Sequence, residues 1–283
     1  MRLPIVEQRR DTPEAPGIDA ELVTQWLVAF LRDELVVRRN IPRAVIGLSG
    51  GVDSAVTAFL CALALGPENV SAIRMPYKSS HPSSLSDAQL VVDALKISCR
   101  TIDITAAVDG YLQLEPDADA RRRGNVMARM RMVVLFDQSA KLDALPVGTG
   151  NKTERLLGYF TWHADDTPPV NPIGDLFKSQ VWALARYLGV PQRLIEKAPT
   201  ADLQSDQTDE ADLGITYARA DAILAQLLLG YSDEQMIEHG FAPDEVALVR
   251  KRVDGTHWKR HLPTTALLSS TAINEFYLRP VDY

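Results

Sequence analysis

The chain has 283 residues, 46% of them hydrophobic and 24% charged, with 16 Gly, 17 Pro and only 2 Cys. That composition excludes collagen-like, disordered and disulfide-dense proteins, and a chain this long buries roughly 70–75% of its unfolded surface without a stapling metal or disulfide. Its 30 Lys+Arg against 37 Asp+Glu leave a formal charge of −7, which argues against general attraction to nucleic acid or an anionic membrane.

Residues 1–17 mix charges with prolines, lack the apolar run of a signal peptide, and are expected to form a flexible arm. From Asp19 to Arg38 the pattern is helical, with Val23, Trp26, Leu27, Phe30 and Leu31 on one stripe. Residues 44–49, AVIGLS, are uncharged and partly β-branched, as suits a strand covered on both faces. A glycine turn leads into a helix from Val52 to Leu65, stopped by Gly66 and Pro67. The alternation then repeats: a strand over 69–76, a helix over 83–95 with Ser84 and Asp87 at capping-box spacing, and a strand over 97–104. A long helix is expected from Gly124 to Leu142, then a short strand over 144–148, since Pro146 opposes a long central one.

After Gly174, Val181, Leu184, Ala185 and Leu188 keep one helical face until Gly189 and Pro191. Residues 199–215 read as a polar, acidic loop, followed by two or three helices to about Val253 and an irregular tail. The longest uncharged apolar stretch, Ala55 to Leu65, is short of the ~20 residues a membrane helix needs. Cys61 and Cys99 read as reduced core thiols of a cytoplasmic protein. With no repeat or linker, residues 18–283 are expected to form one α/β domain with extra helices at both ends. Its parallel sheet would carry helices on both faces in a Rossmann-like arrangement, with ligands at the carboxyl ends of the strands.

The strongest chemical signal is Ser49-Gly50-Gly51-Val52-Asp53-Ser54, between a buried strand and a helix. Glycines there let the backbone approach a phosphate, the helix start offers free N–H groups, and Asp53 could hold Mg²⁺. No Walker-type G-x-x-x-x-G-K-[ST] is present. Arg121, Arg122, Arg123, Arg129 and Arg131 form a basic cluster that either meets an anionic partner or pairs with acids on a solvated face. Lys178, read in the first turn of a helix capped by Asp175, opposes the helix dipole there and calls for an anion.

S-G-G-x-D-S resembles the PP-loop ATP pyrophosphatases, which cleave ATP between the α- and β-phosphates. Five further segments, in order, look like the NAD synthetases of that group: 124–132, 148–154, 172–178, 199–203 and Lys259-Arg260. The resemblance implies an adenine nucleotide alpha hydrolase-like fold and an ATP site at Gly47, Leu48, Ser49, Gly50, Gly51, Val52, Asp53, Ser54, Thr149, Lys178 and Thr200. It implies Mg²⁺ on Asp53 and Glu154, catalytic roles for Asp53 and Lys178, and deamido-NAD binding by Arg129, Trp258 and Lys259. A loop at 198–218 would close over the site, and the enzyme would be a cytoplasmic homodimer. The implied reaction amidates deamido-NAD to NAD with ammonia, releasing AMP and pyrophosphate.

Three positions depart from the family pattern. Trp162 stands where relatives carry Lys, Pro169 where they carry Asp, and Trp258 where they carry His. These departures keep nicotinate mononucleotide open as the acceptor. A nucleotide-binding regulatory module is opposed by the intact Asp53, Glu154 and Lys178, and a tRNA-modifying role by the acidic charge and the absence of Cys-x-x-Cys. Free ammonium rather than glutamine is the expected nitrogen source, because the stretches flanking the motifs leave no room for a glutaminase, and a separate glutaminase subunit is the weaker reading.

Overall fold

Four parallel strands form the centre of the computed structural model: β1 (Ala44–Gly47), β2 (Val70–Arg74), β3 (Ser98–Thr101) and β4 (Leu145–Pro146). The structure describes residues 14–200 and 208–261, with Thr264, Ala266 and Leu268. The strands lie in the order β3-β2-β1-β4, with Ala44 opposite both Val70 and Leu145. A further parallel bridge, Val147 to Val170, extends the β4 side. Moving from β1 through β2 to β3 and then back to β4 creates a reversal of direction beside β1, and ligands bind at the carboxyl ends of strands at such a point.

Successive β1 side chains point to opposite faces, which dictates three layers. Ala44 and Ile46 pack with α1 (Ala20–Arg32), α2 (Val52–Leu65) and α7 (Lys178–Leu188), the last following α3 (Pro82–Leu95), α4 (Thr105–Leu112), α5 (Ala120–Leu142) and α6 (Lys152–Leu157) in the chain. Val45 faces the other way and packs with Ile73 of β2 and Leu135 of α5. After α8 (Gln192–Glu196) and the short α9 (Asp209–Leu213), a second core forms around Tyr217. It joins α6 to α10 (Tyr217–Leu228), α11 (Asp233–Glu238) and α12 (Pro243–Thr256). No helix among the described residues is long and apolar enough to cross a membrane.

Several local expectations change for physical reasons. Only residues 14–17 of the expected arm are described, and there Pro16 is buried and its carbonyl accepts from Gln180 Nε2 at 3.2 Å. Trp26 and Phe30 of the first helix face outward, while Val23 and Leu31 are buried. His81, not Ser84, caps α3: its ring Nδ1 accepts from the Ser83 N–H at 3.1 Å, freeing Ser84 and Asp87 to turn inward. The helix expected from Gly124 begins at Ala120, because Asp119 caps it by accepting from Arg122 N–H at 2.7 Å. Helix α4 carried no signal strong enough to be expected. Cys61 is buried as expected, but Cys99 is half-buried. Asp175 does not cap α7; it is exposed and pairs with Lys152 at 2.9 Å, while Gln180 Oε1 accepts the Phe177 N–H at 2.9 Å.

Candidate active site

The glycine loop leaves β1 with Leu48 N–H donating to Ile73 O at 2.9 Å, so its exit is an extension of the sheet. Gly50 sits at φ +80°, and a Cβ there would stand 2.3 Å from the Ser84 carbonyl oxygen; only glycine fits. Ser54 braces the turn, accepting from Ser49 N–H at 3.3 Å and donating to Gly51 O at 3.0 Å. Gly47, Leu48, Ser49, Gly51, Val52, Asp53 and Ser54 line a cavity of about 310 Å³. Thr149, Glu154, Lys178 and Thr200 line it too, so sequence-distant candidates converge.

At its floor lies Lys178, 2% exposed, whose ammonium forms an ion pair with Asp53 Oδ2 and stands 3.6 Å from Glu154 Oε1. Its Nζ also lies 5.1 Å from the Tyr217 ring centroid, a cation–π contact. Burial works against the charge, but Asp53 and Glu154 outweigh it and hold the lysine above its ordinary range. Asn151 Nδ2 donates to Asp53 Oδ1 at 3.0 Å. Glu154 closes a capping box, its Oε2 accepting from Asn151 N–H at 3.2 Å, and burial together with the Asp53 charge pushes its carboxyl up to about 8.

This donor set fits Mg²⁺. Two oxygen carboxylates share one lysine, and Glu154 is short of positive charge, which a divalent cation would supply. Among the described residues no group of three or more His, Cys, Asp or Glu forms a metal cage, so phosphate oxygens and water would complete the shell.

Asp209, within the stretch expected to be a polar, acidic loop, instead opens α9 and is buried. It is 5% exposed, lines the cavity and accepts from Tyr217 Oη at 3.0 Å and Tyr159 Oη at 3.2 Å. Burial raises its carboxyl above the usual range. Residues 201–207 of the expected loop, with any closing movement, lie outside the described residues. Asp221 is also buried, accepting from Thr153 Oγ1 and, at 2.8 Å, from Ser179 N–H. It fixes α6 against α7 and thereby Glu154 against Lys178. None of these acids carried a sequence signal, because burial of an acid is set by partners far along the chain.

The acceptor-side candidates assemble beside the cavity rather than in its wall. Arg129 Nη2 donates to Trp162 O at 2.9 Å, and the Trp162 and Trp258 rings meet edge-on at 5.2 Å. Lys259 Nζ donates to Gly158 O at 2.6 Å and to Phe160 O, so it holds the 158–160 segment, whose Tyr159 and Phe160 line the cavity. Of the arginine cluster, Arg122 pairs with Glu115, whereas Arg131 lines the cavity, with Nε donating to Met75 O at 3.2 Å.

Comparison with known proteins gives a consistent outcome. The model of the family described as NAD synthase matches residues 23–263. The NH(3)-dependent NAD(+) synthetase of Trichlorobacter lovleyi is 46% identical over 268 residues, covering 94% of this chain and 98% of that protein. That of Fusobacterium nucleatum is 49% identical over 241 residues, 85% of this chain and 93% of its own length. Among solved structures, an NMN synthetase from Francisella tularensis superposes with a TM-score of 0.79 at 31% identity, covering 88% of this chain and 99% of that one. An NH3-dependent NAD synthetase from Campylobacter jejuni, in complex with nitrate, gives 0.75 at 31% identity, covering 88% and 100%. With most of its length matched by the family model and by relatives at such identity, the chain belongs to the NAD synthase family.

Proposed function

We propose that this chain amidates the nicotinate carboxyl of deamido-NAD with ammonia, converting ATP to AMP and pyrophosphate. The observation that carries the reading is Lys178, buried beneath the glycine loop and facing Asp53 and Glu154. A nicotinate carboxylate oxygen attacks the ATP α-phosphorus, the bond to the bridging oxygen breaks, and pyrophosphate leaves. Ammonia then attacks the acyl carbon, AMP departs, and the nitrogen loses a proton.

The chain's own groups mostly position and neutralise. Backbone N–H groups at the start of α2, from Gly51 to Ser54, face the phosphates, Thr149 and Thr200 hold ATP from the cavity lining, and Lys178 stabilises the departing pyrophosphate. Asp53 and Glu154 would hold Mg²⁺, which when bound supplies further charge neutralisation on the phosphates. Arg129, Trp258 and Lys259 shape the acceptor side. The enzyme works as a cytoplasmic homodimer; the exposed Val133 and Phe136, one turn apart on α5, offer a face for such a pair to bury.

The superposition on an NMN synthetase favours a second reading, in which the acceptor is nicotinate mononucleotide. The departures from the family pattern at Trp162, Pro169 and Trp258 bear on the same reading, and the Trp162 and Trp258 rings meet beside Arg129. Mass spectrometry after incubation with ATP, Mg²⁺, ammonium and each acid decides between them. NAD formed much faster than the mononucleotide amide supports the first reading; the reverse supports the second. Neither product overturns both.

A further inference from the structure

Lys197 has no part in the reading above, yet it lines the cavity just beyond α8. Its Nζ donates to Asp87 Oδ2 at 2.8 Å and reaches Gly50 O at 3.5 Å, long for a hydrogen bond but close for a cation and a carbonyl dipole. Asp87, on α3, is 1% exposed and also pairs with Arg193 Nε at 2.6 Å. A carboxylate buried this far needs partners, and here it fixes where the lysine head can sit. One turn earlier on α3, the Ser84 carbonyl oxygen already excludes any side chain at Gly50. Helix α3 therefore restrains the same glycine twice, once by contact and once through Lys197.

The consequence follows from peptide geometry. Gly50 does not line the cavity, whereas Ser49 and Gly51 do. In a trans peptide the C=O and the following N–H point in opposite directions, and the described residues contain no cis peptide. Anchoring Gly50 O on Lys197 thus aims the Gly51 N–H the other way, toward the side where Ser49 Oγ accepts it at 3.3 Å. Glycine at positive φ has little intrinsic preference, so an external anchor matters more here than elsewhere.

We infer that Lys197, oriented by Asp87, is a positioning residue for the ATP phosphate tail, setting the Gly50–Gly51 peptide so that Gly51 N–H faces the phosphates. The inference rests on ATP occupying this cavity, as the proposed function requires.

Titration calorimetry of the full chain with ATP and with AMP, in Mg²⁺, tests it on wild type, Lys197→Met and Lys197→Arg. Arg193 keeps Asp87 paired when Lys197 is replaced, so the melting temperature should stay close to wild type. Lys197→Met is expected to bind ATP roughly tenfold more weakly, with AMP affinity held within about twofold, and Lys197→Arg to recover most of the loss. If Lys197→Met does not fold, Asp87→Asn carries the comparison, with the same selective loss for ATP expected. Equal losses for ATP and AMP, or unchanged ATP affinity in the folded variant, overturn the inference while leaving the proposed function intact. Failure of the wild type to bind ATP overturns both.

Discussion

Asn151 and Asp53, 98 positions apart, meet at 3.0 Å, the asparagine amide donating to Oδ1 of the aspartate. The carbonyl half of the same side chain accepts from Glu154 N–H at 2.9 Å and caps α6. One residue thus ends a loop, starts a helix and aims a carboxylate in the first turn of α2, using both halves of a neutral amide.

Asn151→Ala should therefore lose about 1–2 kcal/mol as a lost cap, visible in urea unfolding, and at least roughly tenfold in turnover. Asn151→Asp restores the cap but sets a second negative charge beside Asp53. It should recover no turnover, because the two carboxylates repel in a buried site; recovery of turnover would show that aiming Asp53 is unimportant.

Glu154→Gln separates the structural from the chemical role of that position, since glutamine still closes the capping box. The melting temperature should move by no more than about 2 °C. Turnover should fall by orders of magnitude, as it should for Asp53→Asn. Near-wild-type rates in both variants at limiting Mg²⁺ would remove the two-carboxylate site.

Gly50→Ala places a methyl group 2.3 Å from a backbone oxygen of α3 and strains a positive φ. We expect loss of ATP binding and destabilisation of about 1–3 kcal/mol, read by calorimetry and thermal melting. A crystal structure of this variant with an unshifted loop would contradict the account.

The reaction should release AMP and pyrophosphate in equal amounts, resolved by anion-exchange chromatography. Stoichiometric ADP would contradict the assignment. Ammonium should support amidation by the purified chain and glutamine should give little; the rate should rise with pH as more neutral ammonia is present.

Burial pushes the Cys61 thiol up to about 12, and its side chain is inaccessible. Cys99, half-buried, is raised as well, chiefly by burial. Alkylation of native protein near pH 8 should modify Cys99 slowly and Cys61 only on unfolding, checked by peptide mass mapping. Rapid labelling of Cys61 would mean that α2 opens in the native state.

What could be read in the sequence was local. The glycine loop, its flanking strand and helix, and the order β1-α2-β2-α3-β3 are written in adjacent residues. Lys178 was legible as a cation needing an anion, although its supposed cap Asp175 faces solvent and the true partners are Asp53 and Glu154. Asp209 and Asp221 were not legible, because a buried acid looks like an exposed one until its tyrosine or hydroxyl donors are placed. The Lys197–Asp87 pair spans 110 positions and leaves no periodic or motif signature.

The ion pair at the cavity floor joins residues 125 positions apart, and its cation also rests on a tyrosine 39 residues further on. Closing so long a loop is slow compared with forming the neighbouring helices. During synthesis, at about 5–20 residues per second, Asp53 therefore emerges seconds before its native partner Lys178. The glycine loop can exist early as a shape, but its charge is balanced only when α7 docks on the sheet and α10 closes beneath it. The charge balance of the site is thus complete only once α2, α7 and α10, which lie far apart in the chain, are all in place.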